Sequence, residues 1–185
     1  ARSRESGAVI FARTTMPDYG MLSSSKSSFH KLTRNPWDRT KTPGGSSSGA
    51  GAAAAAGYGP LHIGTDIGGS VRLPAGWCGI FTLKPSLGRI PIDPPFQGRV
   101  AGPMTRSVED AALFMEVLSL PDPRDHMSLP YEKIDWSALD RDVKGLRIGL
   151  HLDAGVGLPV EPETRAAVEA AARAFEAAGA IVEPL

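Results

Sequence analysis

Apolar residues recur with helical spacing in two stretches of the last third of the chain. Val108, Ala111, Ala112, Met115 and Leu118 fall on one face, which predicts a helix over 108–119. Ser107 is placed to cap it, and Glu109 and Asp110 put negative charge in the first turn, where the helix dipole favours it. Val168, Ala171, Ala172, Phe175 and Ala178 form a second stripe, with Pro162 suited to the first helical position and Gly179 to the end. Arg165 with Glu169, and Glu169 with Arg173, are spaced for i,i+4 pairing on its polar side. Leu146-Arg147-Ile148-Gly149-Leu150 before this helix and Ala180-Ile181-Val182 after it read as strands. Strand, helix, strand predicts a βαβ unit with parallel pairing.

The rest of the chain is less periodic. Residues 1–12 read as the end of a helix, a turn at Gly7 and a short strand Ala8-Val9-Ile10-Phe11. The alanine run Ala52 to Ala56, closed by Gly57, predicts a helix. Leu61-His62-Ile63 and Ile80-Phe81-Thr82-Leu83 read as short strands, the second stopped by Pro85, with a Gly-rich turn from Gly64 to Pro74 between them. Pro121, Pro123 and Pro130 mark an irregular connection. Residues 13–43 lack sustained periodicity, and a loop that long is usually functional or disordered. No repeat of fixed period occurs. The fold class is α/β.

Composition narrows the function. The 185 residues hold 20 Lys+Arg against 20 Asp+Glu, for a net charge of zero. That argues against a nucleic-acid binder, which needs a basic surface. A hydrophobic content of 42% argues against disorder. With 21 glycines and 16 prolines, tight turns are heavily used. The single cysteine, Cys78, leaves no disulfide framework and fits a reducing, cytoplasmic setting. No apolar run approaches the roughly 18 residues of a membrane helix, and Ala1-Arg2-Ser3-Arg4-Glu5 is no secretory signal.

Two segments concentrate glycine and serine: Gly44-Gly45-Ser46-Ser47-Ser48-Gly49 and Gly64-Thr65-Asp66-Ile67-Gly68-Gly69-Ser70-Val71-Arg72. Both could be flexible linkers, but each adjoins an apolar element, which favours an ordered turn. Gly49-Ala50-Gly51-Ala52-Ala53-Ala54 fits a dinucleotide fingerprint and Gly45-Ser46-Ser47-Ser48-Gly49 a nucleophile elbow, yet each motif must follow a strand and none is predicted there. No Gly-Lys-Ser/Thr follows, which excludes a nucleotide P-loop. Ser23-Ser24-Ser25-Lys26 and Ser28-Phe29-His30-Lys31 match Ser-x-x-Lys, a pattern serine-rich stretches produce by chance. His30, His62, His126 and His151 are scattered without metal-ligand spacing, and Cys78 beside Trp77 reads as packing. The second turn makes better chemical sense. Ser70 follows Gly68-Gly69, whose missing side chains let a substrate carbonyl approach the backbone, and the amides of Ile67, Gly68, Gly69 and Ser70 could converge on an oxyanion. A base for Ser70 is the missing part.

The paired segments closely resemble the signature of the amidase signature enzymes. Pro74-Ala75-Gly76-Trp77-Cys78-Gly79 and Leu83-Lys84-Pro85-Ser86-Leu87-Gly88-Arg89 continue the likeness, as do Gly7 to Pro17, Asn35-Pro36-Trp37-Asp38 and Gly102-Pro103-Met104-Thr105-Arg106-Ser107. The resemblance implies a mixed β-sheet covered by α-helices and an amide hydrolase acting on carbon–nitrogen bonds other than peptide bonds. It implies that Ser70 is the acylated nucleophile and Ser46 the bridging serine on a cis peptide, relaying a proton toward a lysine. Ile67, Gly68 and Gly69, with Ser70, would form the oxyanion hole, and Asp66 and Arg72 would support the turn. No metal or organic cofactor is implied. The partner would be a small-molecule amide, with no nucleic acid or membrane indicated. The family's lysine lies before the Gly7 block and its C-terminal half beyond Leu185, so residues 1–185 are expected to be an internal portion of a single amidase domain, inactive alone. The alternatives are a non-catalytic scaffold of the same shape or an amidotransferase subunit.

Overall fold

The computed structural model describes residues 2–153 and 155–185. They form two compact units, divided after Leu139. In the first unit a short helix α1 (Arg2–Glu5) is followed by irregular chain broken only by a 3-10 turn at Asp18–Gly20. The expected strand at 8–11 does not form. Among the described residues these positions find no pairing partner, and Val9, Ile10 and Phe11 stay exposed.

Helix α2 (Ser48–Ala55) begins earlier than the alanine run, and Gly57 follows its end at φ +77°. Strand β1 (His62–Asp66) runs into the second glycine turn, and helix α3 (Arg72–Cys78) comes directly after it. Sequence reasoning missed α3 because it is short and holds Pro74 and Gly76. Pro74 is the helix's third residue, where an N–H has no intrahelical acceptor to lose, and Gly79 ends it in the left-handed conformation at φ +64°. Strand β2 (Phe81–Thr82) is shorter than the apolar run around it.

Strand β3 (Val100–Thr105) was not signalled by its sequence, yet it is buried throughout and forms the middle of the antiparallel sheet β1-β3-β2. Its register sets His62 opposite Met104 and Asp66 opposite Val100 on one side, and Thr82 opposite Met104 on the other. Pro103 opposes Ile63 of β1 but no residue of β2, so a proline is tolerated in a strand that would otherwise need its N–H on both sides. Helix α4 (Val108–Leu118) follows prediction, its cap made by the Ser107 hydroxyl accepting from the Asp110 amide at 3.1 Å. Two buried clusters hold the unit together: Ala50, Val71 and Met104, with Ile80 against them, and Ile90, Ala101 and Met115, with Leu83, Leu118 and Trp136 against them.

The second unit is the predicted βαβ: strand β4 (Arg147–Leu150), helix α5 (Pro162–Ala177) and strand β5 (Ile181–Pro184), the strands paired in parallel from Arg147–Ile181 to Leu150–Pro184. Pro162 takes the first turn as expected. No residue of α5 is buried, and Val168 and Phe175 remain partly exposed. Neither expected i,i+4 pair closes as an ion pair among the described residues; the bridge that forms is Arg147 to Glu183, across the two strands, at 2.7 Å.

Candidate active site

The first glycine-serine segment is the start of a buried small-residue helix. A side chain at Gly49 would run into the Thr15 backbone, and one at Gly51 would stand 2.8 Å from the Pro74 side chain of α3. Glycine at these two positions therefore brings α2 against residues 14–15 on one side and α3 on the other. The Gly49 amide and the Ser48 hydroxyl both donate to the Thr15 carbonyl, at 2.9 and 3.2 Å.

The segment before α2 is fixed just as tightly. The Ser47 hydroxyl accepts from the Thr65 amide at 3.2 Å and donates to the Thr65 carbonyl at 3.3 Å, locking it to β1. A side chain at Gly64 would come within 2.5 Å of that hydroxyl. The Ser47 amide donates to the Ser70 carbonyl at 3.3 Å. This last bond ties the two glycine-serine segments together, so Ser46 is sequentially adjacent to a residue bonded to Ser70. The Gly45–Ser46 peptide is cis, as the resemblance implies. Ser46 is 6% exposed; its hydroxyl bonds to no described residue, and because no fully buried side-chain oxygen or nitrogen among these residues lacks a partner, that hydroxyl reaches the surface of the site. No hydrogen bond joins the Ser46 and Ser70 hydroxyls among those residues.

Asp66 organises the second turn. The residue is 1% exposed and its side chain is fully buried. It accepts from the amides of Gly69 at 2.8 Å and Val71 at 3.1 Å, and from Arg72 Nε at 3.1 Å and Nη2 at 2.9 Å. Burial alone would raise this carboxyl, but the Arg72 guanidinium and the two amides outweigh it and hold it at about 2. The bonds to Asp66 raise the Arg72 guanidinium in turn. The supporting pair is therefore internal to the turn, and it constrains the backbone on both sides of Ser70.

The same contacts correct one expectation. The Gly69 amide is already given to Asp66, so it is not a free oxyanion donor; Gly69 serves the turn by taking φ +115°. The amides of Ile67, Gly68 and Ser70 have no acceptor among the described residues, and a Cβ on Gly68 would meet nothing within 4 Å. Ser70 itself is half-buried.

Asn35 and Trp37 frame the site without having carried a predicted role. Asn35 Nδ2 donates to the Trp77 carbonyl and Trp37 Nε1 to the Cys78 carbonyl, both at 2.7 Å, so these residues satisfy the last carbonyls of α3. Gly20 lies beside Ser46, and Gly45 lies against the backbone of Ser24 and Leu22. Phe29 is exposed next to His30 at the outer part of the loop. The Cys78 thiol is buried and pushed up to about 11 by that burial, so it is no nucleophile at neutral pH. Neither the dinucleotide fingerprint nor the nucleophile elbow follows a strand, and the elbow's serine, Ser47, is bonded into β1. A cavity of about 720 Å³ lies elsewhere, between residues 8–14 and Tyr58, Leu61, His62 and Ile63. Burial lowers the His62 ring there, aided by the nearby Arg106 charge and opposed by the Gly59 carbonyl. Among the described residues no group of three His, Cys, Asp or Glu could hold a metal ion, and no helix is long and apolar enough to cross a membrane.

The sequence and the fold have counterparts among known proteins. The family model Amidase matches residues 1–185. The chain is 39% identical over 193 residues to a subunit of the glutamyl-tRNA(Gln) amidotransferase of Alkaliphilus metalliredigens (strain QYMF), covering 97% of this chain and 38% of that protein. It is 43% identical over 183 residues to the same-named protein from Rubrobacter xylanophilus, covering 94% of this chain and 37% of that protein. Among solved structures, a bacterial aryl acylamidase of the amidase signature family superposes with a TM-score of 0.91 at 38% identity, over 100% of this chain and 39% of its own. A 6-aminohexanoate cyclic dimer hydrolase does so at 0.92 and 34% identity, over 100% and 40%. The chain thus spans well under half the length of these relatives. With a family model over every residue and the same fold in these enzymes, the chain belongs to the amidase signature family.

Proposed function

We propose that this chain holds the serine half of an amide hydrolase that works through an acyl-enzyme on Ser70. The observation that carries the reading is the bond from the Ser47 amide to the Ser70 carbonyl, which joins the turn shaped by Asp66 to the segment holding the unpartnered Ser46 hydroxyl. Ser70 Oγ attacks the amide carbon. Ser46 takes the Ser70 proton and gives its own to the departing nitrogen, with a lysine, by resemblance, holding the proton between the two steps. The free amides of Ile67, Gly68 and Ser70 stabilise the oxyanion, each such donor contributing on the order of 10²-fold or more. Water then hydrolyses the ester. The substrate is a small-molecule amide, residues 1–185 are one portion of a single amidase domain, and the setting is cytoplasmic.

Covalent trapping tests this. A fluorophosphonate should label Ser70 in the full-length polypeptide carrying these residues, more slowly in Ser46→Ala and not at all in Ser70→Ala, as read by peptide mass spectrometry. An adduct on Ser47 would sink the assignment. A second reading, an amidotransferase subunit that passes ammonia to an acylated tRNA, is favoured by the names of the curated relatives. Glutamine hydrolysis stimulated by acylated tRNA, with no turnover of aryl amides, would select it.

A further inference from the structure

The 3-10 turn Asp18–Gly20 stands directly beside the proposed relay serine. A Cβ on Gly20 would lie 3.6 Å from Ser46 Oγ and 3.1 Å from the terminal methyl of Met16. Gly20 has φ +68°, a conformation that L side chains rarely adopt. The turn is pinned in place: the Gly20 amide donates to the Pro17 carbonyl at 3.0 Å, and the Asp18 carboxylate accepts from the Ser27 hydroxyl at 2.8 Å and the Ser28 amide at 2.9 Å. On the other flank Gly45 packs on the Ser24 backbone. What this loop offers the Ser46 hydroxyl is therefore a bare glycine and, beside it, one soft, adaptable thioether.

We infer that Gly20 and Met16 form the leaving-amine side of the site and set the size of amine the enzyme releases. The inference rests on the reading of Ser46 as proton relay. In acylation the bond from Ser70 Oγ to the carbonyl carbon forms and the carbon–nitrogen bond breaks, its electron pair staying on nitrogen. Ser46 takes the Ser70 proton as the first bond forms, its own proton resting on the lysine meanwhile, and gives the nitrogen a proton as the second bond breaks, so atoms and charge balance. For that transfer the nitrogen must sit roughly 3 Å from Ser46 Oγ. Its substituent then starts beside the hydroxyl, where even a Cβ on Gly20 would stand 3.1 Å from the Met16 methyl, so the bare glycine and the give of Met16 together decide what fits. Methionine adapts to irregular partners and packs well against aromatic rings, which suits an aryl amine. The acyl group stays on Ser70 and is common to both halves of the reaction.

The experiment compares the primary amide and the anilide of one acyl group, by kcat/KM, in the full-length polypeptide. In Gly20→Ala the anilide should lose roughly 10-fold more than the primary amide, the scale of a single misplaced methyl group in a pocket. Met16→Ala, which imposes no backbone strain, should also change the ratio of the two. Deacylation, followed after a burst from an activated ester, should be unchanged in both because the amine has already left. Gly7→Ala controls for strain: Gly7 has φ +87° with nothing within 4 Å of its Cβ, and the substrate ratio should not move. Equal losses on both amides in Gly20→Ala with an unmoved ratio in Met16→Ala overturn the inference alone. A wild-type protein that never acylates Ser70 overturns the proposed function, and the inference with it.

Discussion

Replacing Asp66 with asparagine keeps the shape of the side chain and removes its charge. The wild-type carboxyl lies at about 2 against an ordinary 3.8. A difference of nearly two units is worth about 2 kcal/mol of folding stability at neutral pH. The figure applies to a side chain with no exposed surface, whereas the Arg72 side chain is 53% exposed, so the Gly69 and Val71 amides are the steadier part of the effect. Asparagine offers one oxygen and a donor, so one of those two amides loses its acceptor. Because the folded carboxyl is depressed below its unfolded value, its contribution is complete above the unfolded value of 3.8 and is lost as pH falls through about 2. Urea unfolding of wild type and Asp66→Asn should therefore differ by about 2 kcal/mol at pH 7. That gap should hold to roughly pH 5 and be mostly closed near pH 2, where about half of the wild-type carboxyls are protonated. Taking the difference cancels the other depressed carboxyls, such as Asp18, Asp38 and Asp135. A gap that does not change with pH, or no gap at pH 7, would refute the claim that this carboxylate organises the Ser70 turn by its charge.

Gly64→Ala should cost about 1–3 kcal/mol in urea unfolding, since its Cβ would meet the Ser47 hydroxyl at 2.5 Å and the Met104 sulfur at 2.8 Å. Gly68→Ala, with open space around it, should leave stability within about 0.5 kcal/mol of wild type, and a loss like that of Gly64→Ala would contradict the packing described. Asn35→Ala removes a buried amide that donates to the Trp77 carbonyl and accepts from the Trp37 amide. It should cost about 1–3 kcal/mol and shift the emission of Trp37. Cys78 should resist iodoacetamide at pH 8 in the folded chain and react once urea unfolds it, since burial holds the thiol near 11; rapid labelling of the native chain would show that burial to be wrong.

The elements legible in the sequence are those whose stability is local. Helix α4 announced itself through its stripe, its Ser107 cap and its acidic first turn, and the structure reproduces all three. The βαβ of residues 147–184 was readable for the same reason, because proline, glycine and the apolar stripe marked each boundary. Strand β3 was illegible because Gly102 and Pro103 speak against a strand. What makes it one is tertiary: β1 pairs along one side, β2 along part of the other, and a side chain at Gly102 would strike the Leu83 carbonyl. The 8–11 segment shows the converse. Its apolar run has strand composition, but composition forms no strand without a partner to complete the hydrogen bonds.

The site was legible as chemistry and illegible as architecture. Ser70 stood out from the glycines before it, whereas Ser46, Asp66 and Arg72 were named through the family resemblance; in the structure the Asp66–Arg72 pair lies within the turn around Ser70. The Gly/Ser stretch for which the adjoining apolar element favoured an ordered turn is ordered and buried along most of its length. Gly49 and Gly51 are there because Thr15 and Pro74 occupy the space their side chains would need. That close approach is what sets the cis peptide at Ser46, the locked Ser47 and the Ser70 turn side by side. Glycine in such a segment signals contact on all sides rather than freedom, and only the neighbours' positions separate the two cases. Gly69, too, is held by its neighbours. The family likeness marks it as a donor to the oxyanion, but a single N–H serves one strong acceptor, and the buried Asp66 carboxylate at 2.8 Å already has it. The amides of Ile67, Gly68 and Ser70 stay without an acceptor among the described residues, because Asp66 takes the amides on either side of Ser70 instead.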